Sequence, residues 1–279
     1  MYRTGVSLGG GCLRGVAHIG ALKEILKHDI SITHVAGTSA GAVVGGLYAC
    51  GLHPDHMENA LETLSIRKHL DFSINRKGWL KGDRIYNTLL KLTEGKYFSD
   101  LEIPFAVVCV DLHSRNLTVI NKGEVAKALR ASIAIPGVFL PVEMDGKLLV
   151  DGYILNNNPA DVVKEMGAKH VTAIRVVSSN KHRNSPKSLI SSINRYIDIA
   201  SNTHTEQLLK TYADTIIEID LVSIGRFDPK SLPTAIQQGQ AEARRVLRRE
   251  KEKETIGRVI YVEQWLEKVY HRDGSPGSF

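Results

Sequence analysis

The run Ile32-Thr33-His34-Val35-Ala36-Gly37-Thr38-Ser39-Ala40-Gly41-Ala42-Val43-Val44-Gly45-Gly46-Leu47-Tyr48-Ala49-Cys50-Gly51 changes character in its middle. Ile32 to Ala36 is a short apolar stretch, as in a buried strand. Gly37-Thr38-Ser39 interrupts it. Ala40 to Cys50 then has the length and small apolar content of a buried helix, with Gly51 at the C-terminal cap position. Upstream, Gly5-Val6-Ser7-Leu8 reads as a strand broken by Gly9-Gly10-Gly11, and Val16, Ile19, Leu22 and Ile25 put one apolar stripe on a helix over residues 14 to 28. A strand, loop, helix, strand, turn and helix in that order predict a parallel sheet covered by helices.

Downstream, residues 53 to 100 are more polar and helical in pattern, with Pro54 in a first turn and Met57, Leu61 and Leu64 on one side, an expected cover over the functional site. Strand-like runs resume at Phe105 to Val110, Leu117 to Ile120, Leu148 to Val150 and His170 to Val177. A long helix is expected from about Pro186 to Thr211, then a strand over Thr215 to Ile219. There is no internal repeat and no Gly-, Pro- or Ser-rich linker, so residues 1 to 272 are expected to form one three-layer α/β/α domain with a mostly parallel central sheet. Asp273 to Phe279 read as a disordered tail.

Hydrophobic residues make up 43% of the 279 and charged residues 24%, ordinary for a soluble globular chain. No apolar run is long enough to span a bilayer. Cys12, Cys50 and Cys109 are odd in number and widely spaced, and they read as reduced thiols without metal-ligand spacing; a cytoplasmic location is expected. The net charge of +6 fits peripheral contact with an anionic membrane surface as well as ordinary mild basicity. Much of the charge lies in residues 243 to 253, mixed with acids as on a solvated helix face and free of interleaved aromatics, so no nucleic-acid surface is expected.

Gly37-Thr38-Ser39-Ala40-Gly41 matches G-x-S-x-G, the strand-to-helix turn that exposes a nucleophilic serine. The pattern alone is weak, and a serine capping the helix would satisfy it equally. Its position between a buried strand and a helix adds weight. Gly9-Gly10-Gly11-Cys12-Leu13-Arg14-Gly15 stands at the matching place after the first strand, where backbone N–H groups can converge on a phosphate or an oxyanion. A dinucleotide site would want a carboxylate at the end of the second strand, and Ala36-Gly37-Thr38-Ser39 has none.

The candidate base is Asp151, ending the apolar run Leu148-Leu149-Val150 before Gly152; a plain turn-forming Asp-Gly is the alternative. Histidine is the rival base. His182, His204 and His271 lie in polar or helical stretches, and His18 reads as a packing residue on the first helix.

Here the sequence resembles the patatin-like phospholipases, in particular their compact bacterial members, over about residues 4 to 245. The glycine loop with Arg14-Gly15-Val16-Ala17-His18-Ile19-Gly20 is similar to the family's oxyanion segment, and Gly37-Thr38-Ser39-Ala40-Gly41 to its nucleophile motif. Ala131-Ser132-Ile133-Ala134-Ile135-Pro136-Gly137, with Phe139 and Pro141, resembles the segment before its catalytic aspartate. Asp151-Gly152 followed by Asn157-Asn158-Pro159 resembles its aspartate motif.

The resemblance implies a Ser-Asp dyad of Ser39 and Asp151. It places oxyanion donors on the Gly10, Gly11 and Cys12 backbone with Arg14 beside them, supported by Gly9, Gly15, Gly37, Gly41 and Gly152. It implies no metal or cofactor, and a phospholipid or lysophospholipid ester as substrate. An esterase or thioesterase acting on soluble substrates, and a non-catalytic lipid- or protein-binding module on the same fold, are the alternatives. Two departures bear on these expectations: Cys12 stands where glycine is usual, and Tyr153 replaces a small residue after Asp-Gly.

Overall fold

The computed structural model describes residues 3–62, 80–177, 189–221, 224 and 231–270. Eight strands form one sheet. Their ranges are β1 Arg3–Leu8, β2 Ser31–Thr38, β3 Phe105–Asp111, β4 Asn116–Ile120, β5 Val142–Met144, β6 Lys147–Asp151, β7 Val171–Val177 and β8 Thr215–Asp220. The α-helices are α1 Ala17–Lys27, α2 Ala40–Ala49, α3 Pro54–Glu62, α4 Asp83–Leu92, α5 Val125–Ser132, α6 Ala160–Glu165, α7 Leu189–Tyr212 and α8 Leu232–Tyr270.

The opening of the chain follows its pattern. β1 and β2 pair in parallel, and Gly51 ends the α2 turn with φ +94°. The stripe expected over residues 14 to 28 begins as a 3-10 turn, Cys12–Val16, before α1. The expected cover over 53 to 100 contains α3 and α4, with Leu64 and the rest of residues 63–79 outside the described part. The first residues of the expected 186–211 helix, His182, His271 and the 273–279 tail also lie outside it.

The three-layer α/β architecture is as expected, but the sheet is mixed. β3, β2, β1, β7 and β8 run parallel, whereas β4, β5 and β6 pair antiparallel at one end. The β5–β6 hairpin closes on Asp145 (φ 51°) and Gly146 (φ 73°), two left-handed residues of the kind a tight hairpin needs.

Alternation along the central strands sorts the core into two layers. Val35, Val107, Cys109, Ile174 and Val176 join a large cluster with α1, α2, α5 and α8. Their neighbours Ala36, Ala106, Val108 and Ala173 face α6 and Leu209 of α7, where alanine lets these helices come close. α8 is amphipathic rather than only solvated: Ala243 and Leu247 are buried, and Arg244 reaches the buried Glu24 of α1 at 2.9 Å. Among the described residues no helix is long and apolar enough to cross a membrane.

Candidate active site

The register around β3 explains how two distant segments meet. One edge of β3 carries β4 along residues 107 to 111. The opposite edge is shared: β2 pairs with residues 105 to 108, and β6, running the other way, pairs with 109 to 111. Thr38 therefore leaves the sheet at Val108, and Asp151 reaches the adjacent rung at Cys109. The two strands point their C-terminal ends at each other, and the next residue of the first is Ser39.

Ser39 Oγ donates to Asp151 Oδ2 at 2.7 Å, and the two residues are 4% and 5% exposed. Ser39 occupies the N-cap position of α2 with φ 55° and ψ −125°, yet its side chain caps no helix N–H. That backbone conformation is sparsely populated for an L-residue and is strained by about 1–3 kcal/mol. Asp151 fills two roles with two oxygens: Oδ1 accepts from Tyr153 N–H at 2.9 Å and builds the turn, while Oδ2 faces Ser39. Burial raises its pKa to about 6, against the lowering effect of these hydrogen bonds.

The glycine loop lies beside Ser39 because Leu8 pairs with Gly37 and the two parallel strands end together. A Cβ on Gly10 would stand 3.2 Å from Ser39 Cβ and 2.6 Å from Asn157 Oδ1. The Gly10 N–H is committed to Asn157, at 3.0 Å from its carbonyl and 2.9 Å from Oδ1, whereas Gly11 N–H has no partner among the described residues. The donor set expected at Gly10, Gly11 and Cys12 is thus unevenly disposed. Gly9 donates to the Ile174 carbonyl at 3.0 Å. Cys12 adopts φ 54°, so the cysteine sits in the left-handed conformation that glycine would take without strain. Arg14 is buried in the 3-10 turn that follows.

The remaining motif glycines mark close approaches. A Cβ on Gly41 would lie 2.2 Å from the Leu8 carbonyl, one on Gly15 2.4 Å from Ala40 Cβ, one on Gly37 2.6 Å from the Ala42 backbone, and one on Gly152 2.6 Å from the Val108 carbonyl. Side chains there would push α2 off β1 or the aspartate turn off β3.

His18 is fully buried and bonded through Nε2 to the Gly9 carbonyl at 2.7 Å; burial lowers its pKa to about 4, so it is neutral at ordinary pH and Nε2–H is the donor. Among the described residues no histidine bonds to Ser39 or Asp151.

Sequence reasoning gave no role to the residues that stitch the site together. Asn156 carbonyl accepts from Thr38 Oγ1 at 2.8 Å, and Asn157 holds Gly10. Asn158 accepts from Ser7 Oγ at 2.6 Å and donates to the Ile174 carbonyl at 2.8 Å. One loop thereby ties the ends of β1 and β2 to the middle of β7. The run Asn156-Asn157-Asn158-Pro159 carried that signal, since three consecutive amides are poor strand or helix formers and good backbone partners.

A family model described as patatin-like phospholipase matches residues 6–164, more than half of the chain. An uncharacterized NTE family protein of Mycobacterium tuberculosis is 35% identical over 179 residues, 63% of this chain and 50% of that protein. Human patatin-like phospholipase domain-containing protein 6 is 31% identical over 182 residues, 62% of this chain and 13% of that protein. The chain thus spans about half the length of the mycobacterial relative. Among solved structures, VipD from Legionella pneumophila aligns with a TM-score of 0.51 at 15% identity, covering 88% of this chain and 66% of that one, a likeness of fold.

Proposed function

The chain belongs to the patatin-like phospholipase family, and we propose that it is a serine acyl hydrolase in which Ser39 is the nucleophile and Asp151 the base, acting on carboxylic esters of phospholipids or lysophospholipids. The observation that carries this reading is the 2.7 Å bond from Ser39 Oγ to a buried carboxylate oxygen.

Asp151 takes the hydroxyl proton as Ser39 Oγ bonds to the ester carbonyl carbon, and the carbonyl electron pair moves onto oxygen. The Gly11 N–H, next in the chain to Gly10, whose Cβ position lies 3.2 Å from Ser39 Cβ, and without a partner among the described residues, is the donor we assign to that oxyanion. Collapse of the tetrahedral intermediate expels the alcohol, which leaves with the proton held by Asp151. Water then attacks the acyl-serine and gives a proton to Asp151, and Ser39 Oγ departs with it. A carboxylate pKa raised to about 6 suits this alternation, because the group is mostly ionised near neutrality yet basic enough to hold a proton in transit.

The substrate assignment draws on the family and on the relatives' names, and the chain's net charge of +6 supports peripheral contact with an anionic lipid surface. The deciding experiment is a fluorophosphonate probe applied to the wild type and to Ser39→Ala, Asp151→Asn and His18→Gln, with hydrolysis measured on anionic vesicles and on a soluble ester. Labelling should localise to Ser39. Hydrolysis should fall by about 10⁴-fold or more in Ser39→Ala and Asp151→Asn. Absent labelling would favour a binding module, an inactive folded His18→Gln beside an active Asp151→Asn would overturn the dyad, and turnover confined to the soluble ester would move the substrate class.

A further inference from the structure

We infer that the last residue of α5 and the two that follow it, Ser132 to Ala134, form a brace that sets the geometry between nucleophile and base, with Ser132 as a positioning residue; the inference rests on the hydrolase reading above. The problem it answers is mechanical. Ser39 and Asp151 are 112 residues apart and end two strands that meet head-on along β3 without pairing to each other. Ser39 is also held in a strained backbone conformation, which persists only where surrounding contacts over-determine it. A third element has to fix the relation between the two.

This span makes a contact with each. Ser39 N–H donates to Ser132 Oγ at 2.8 Å. Ser132 Oγ–H donates in turn to the Val108 carbonyl at 2.8 Å, on the rung of β3 where Thr38 pairs. A hydroxyl has one proton, so giving it to Val108 turns a lone pair toward Ser39 and fixes the rotor. Two residues further on, the Ala134 carbonyl accepts from Asp151 N–H at 3.2 Å. One three-residue span therefore holds the nucleophile through a side chain and the base through its backbone. Ser132 is 0% exposed, so water has no access to replace its hydroxyl, and removing it would strand the Ser39 N–H and the Val108 carbonyl together.

Ser132 touches no reacting atom. Its effect passes through Ser39, where a displacement of about 1 Å costs about 10²-fold in rate. The test compares wild type, Ser132→Ala and Ser132→Thr for folding by circular dichroism, for kcat and KM on a short-chain p-nitrophenyl ester, and for the rate of fluorophosphonate labelling. The expected result is a folded Ser132→Ala whose kcat and labelling rate drop together by about 10- to 100-fold with KM nearly unchanged, and partial recovery in Ser132→Thr, which keeps the hydroxyl. Should Ser132→Ala not fold, Ser132→Cys keeps the volume, offers only a weak donor and acceptor, and is read by the same criteria. A folded variant lacking the hydroxyl that labels and turns over at the wild-type rate, or one whose loss lies in KM, would overturn the brace. A wild type that the probe does not label would overturn the hydrolase reading itself.

Discussion

The phenol of Tyr153 donates a hydrogen bond to the carboxylate of Asp198 on α7. Three residues along the same helix, Ser201 Oγ donates to the Tyr153 carbonyl at 2.6 Å. The Tyr153 N–H meanwhile holds Asp151 Oδ1. One residue thus couples α7 to the candidate base from both ends of its backbone and from its ring. Tyr153 departs from the small residue usual after Asp-Gly, and in this fold its bulk anchors the aspartate turn to a helix.

That coupling is testable by a double-mutant cycle. Tyr153→Phe and Asp198→Ala should each destabilise the protein by about 1 kcal/mol. The double variant should be no worse than the more damaging single one, because both remove the same bond. Thermal or denaturant unfolding of the four proteins checks this, and fully additive losses would deny the interaction.

Asp151 should trade stability against activity. Its pKa is raised by burial to about 6, so keeping the carboxylate ionised disfavours the folded state as pH climbs from the ordinary aspartate range through 6. Activity should rise over the upper part of that interval and level off above it. Asp151→Asn should be inactive, yet at pH 8 about 1–3 kcal/mol more stable than the wild type, with the gain vanishing near pH 4. Denaturant midpoints at the two pH values measure it, and an Asn variant less stable at pH 8 would refute the burial argument.

The two central glycines should differ. An alanine at position 10 would push its Cβ against Asn157 Oδ1 and crowd Ser39, so Gly10→Ala should lower turnover by about 10²-fold. At Gly11 the backbone is extended, φ −179°, and an added Cβ meets its nearest neighbour at 3.3 Å, so Gly11→Ala should be tolerated within about tenfold. Steady-state kinetics of the pair check the order, and the reverse order would shift the critical packing to Gly11.

Glu24 joins α1 to α8. It is buried and accepts from Arg244 at 2.9 and 3.1 Å and from Gln240 at 3.1 Å. The Arg244 bond leads the effects that hold its pKa below the usual glutamate value. A depressed carboxylate stabilises the fold above its unfolded pKa and loses that contribution as pH falls through the folded one. Arg244→Ala should lower stability at pH 7, since it leaves the buried Glu24 carboxylate without its cationic partner. The difference should shrink toward pH 3, and unfolding curves at both pH values read it.

The sequence by itself determined the opening β-loop-α-β-turn-α unit and the placing of Ser39 and the glycine loop at one sheet edge. These are local signals: apolar periodicity, glycine breaks and a turn motif fall within fifty residues, and two parallel neighbours joined through a helix must end on the same side. It also marked Asp151, through its place at the end of an apolar strand. Three further features depended on the tertiary structure. The antiparallel turn of β6 onto the edge of β3, which aims Asp151 at Ser39, follows from the Asp145-Gly146 hairpin and from pairing between segments some forty residues apart. Ser132 and Asn156 to Asn158 carry no periodic signal, because their task is to bond single groups presented by other segments. The basic stretch of α8 read as solvated, whereas Glu24 lies 220 positions from Arg244 and only folding brings them together. A pattern along the chain reports which face of an element is buried; which polar group answers which is fixed by long-range pairing.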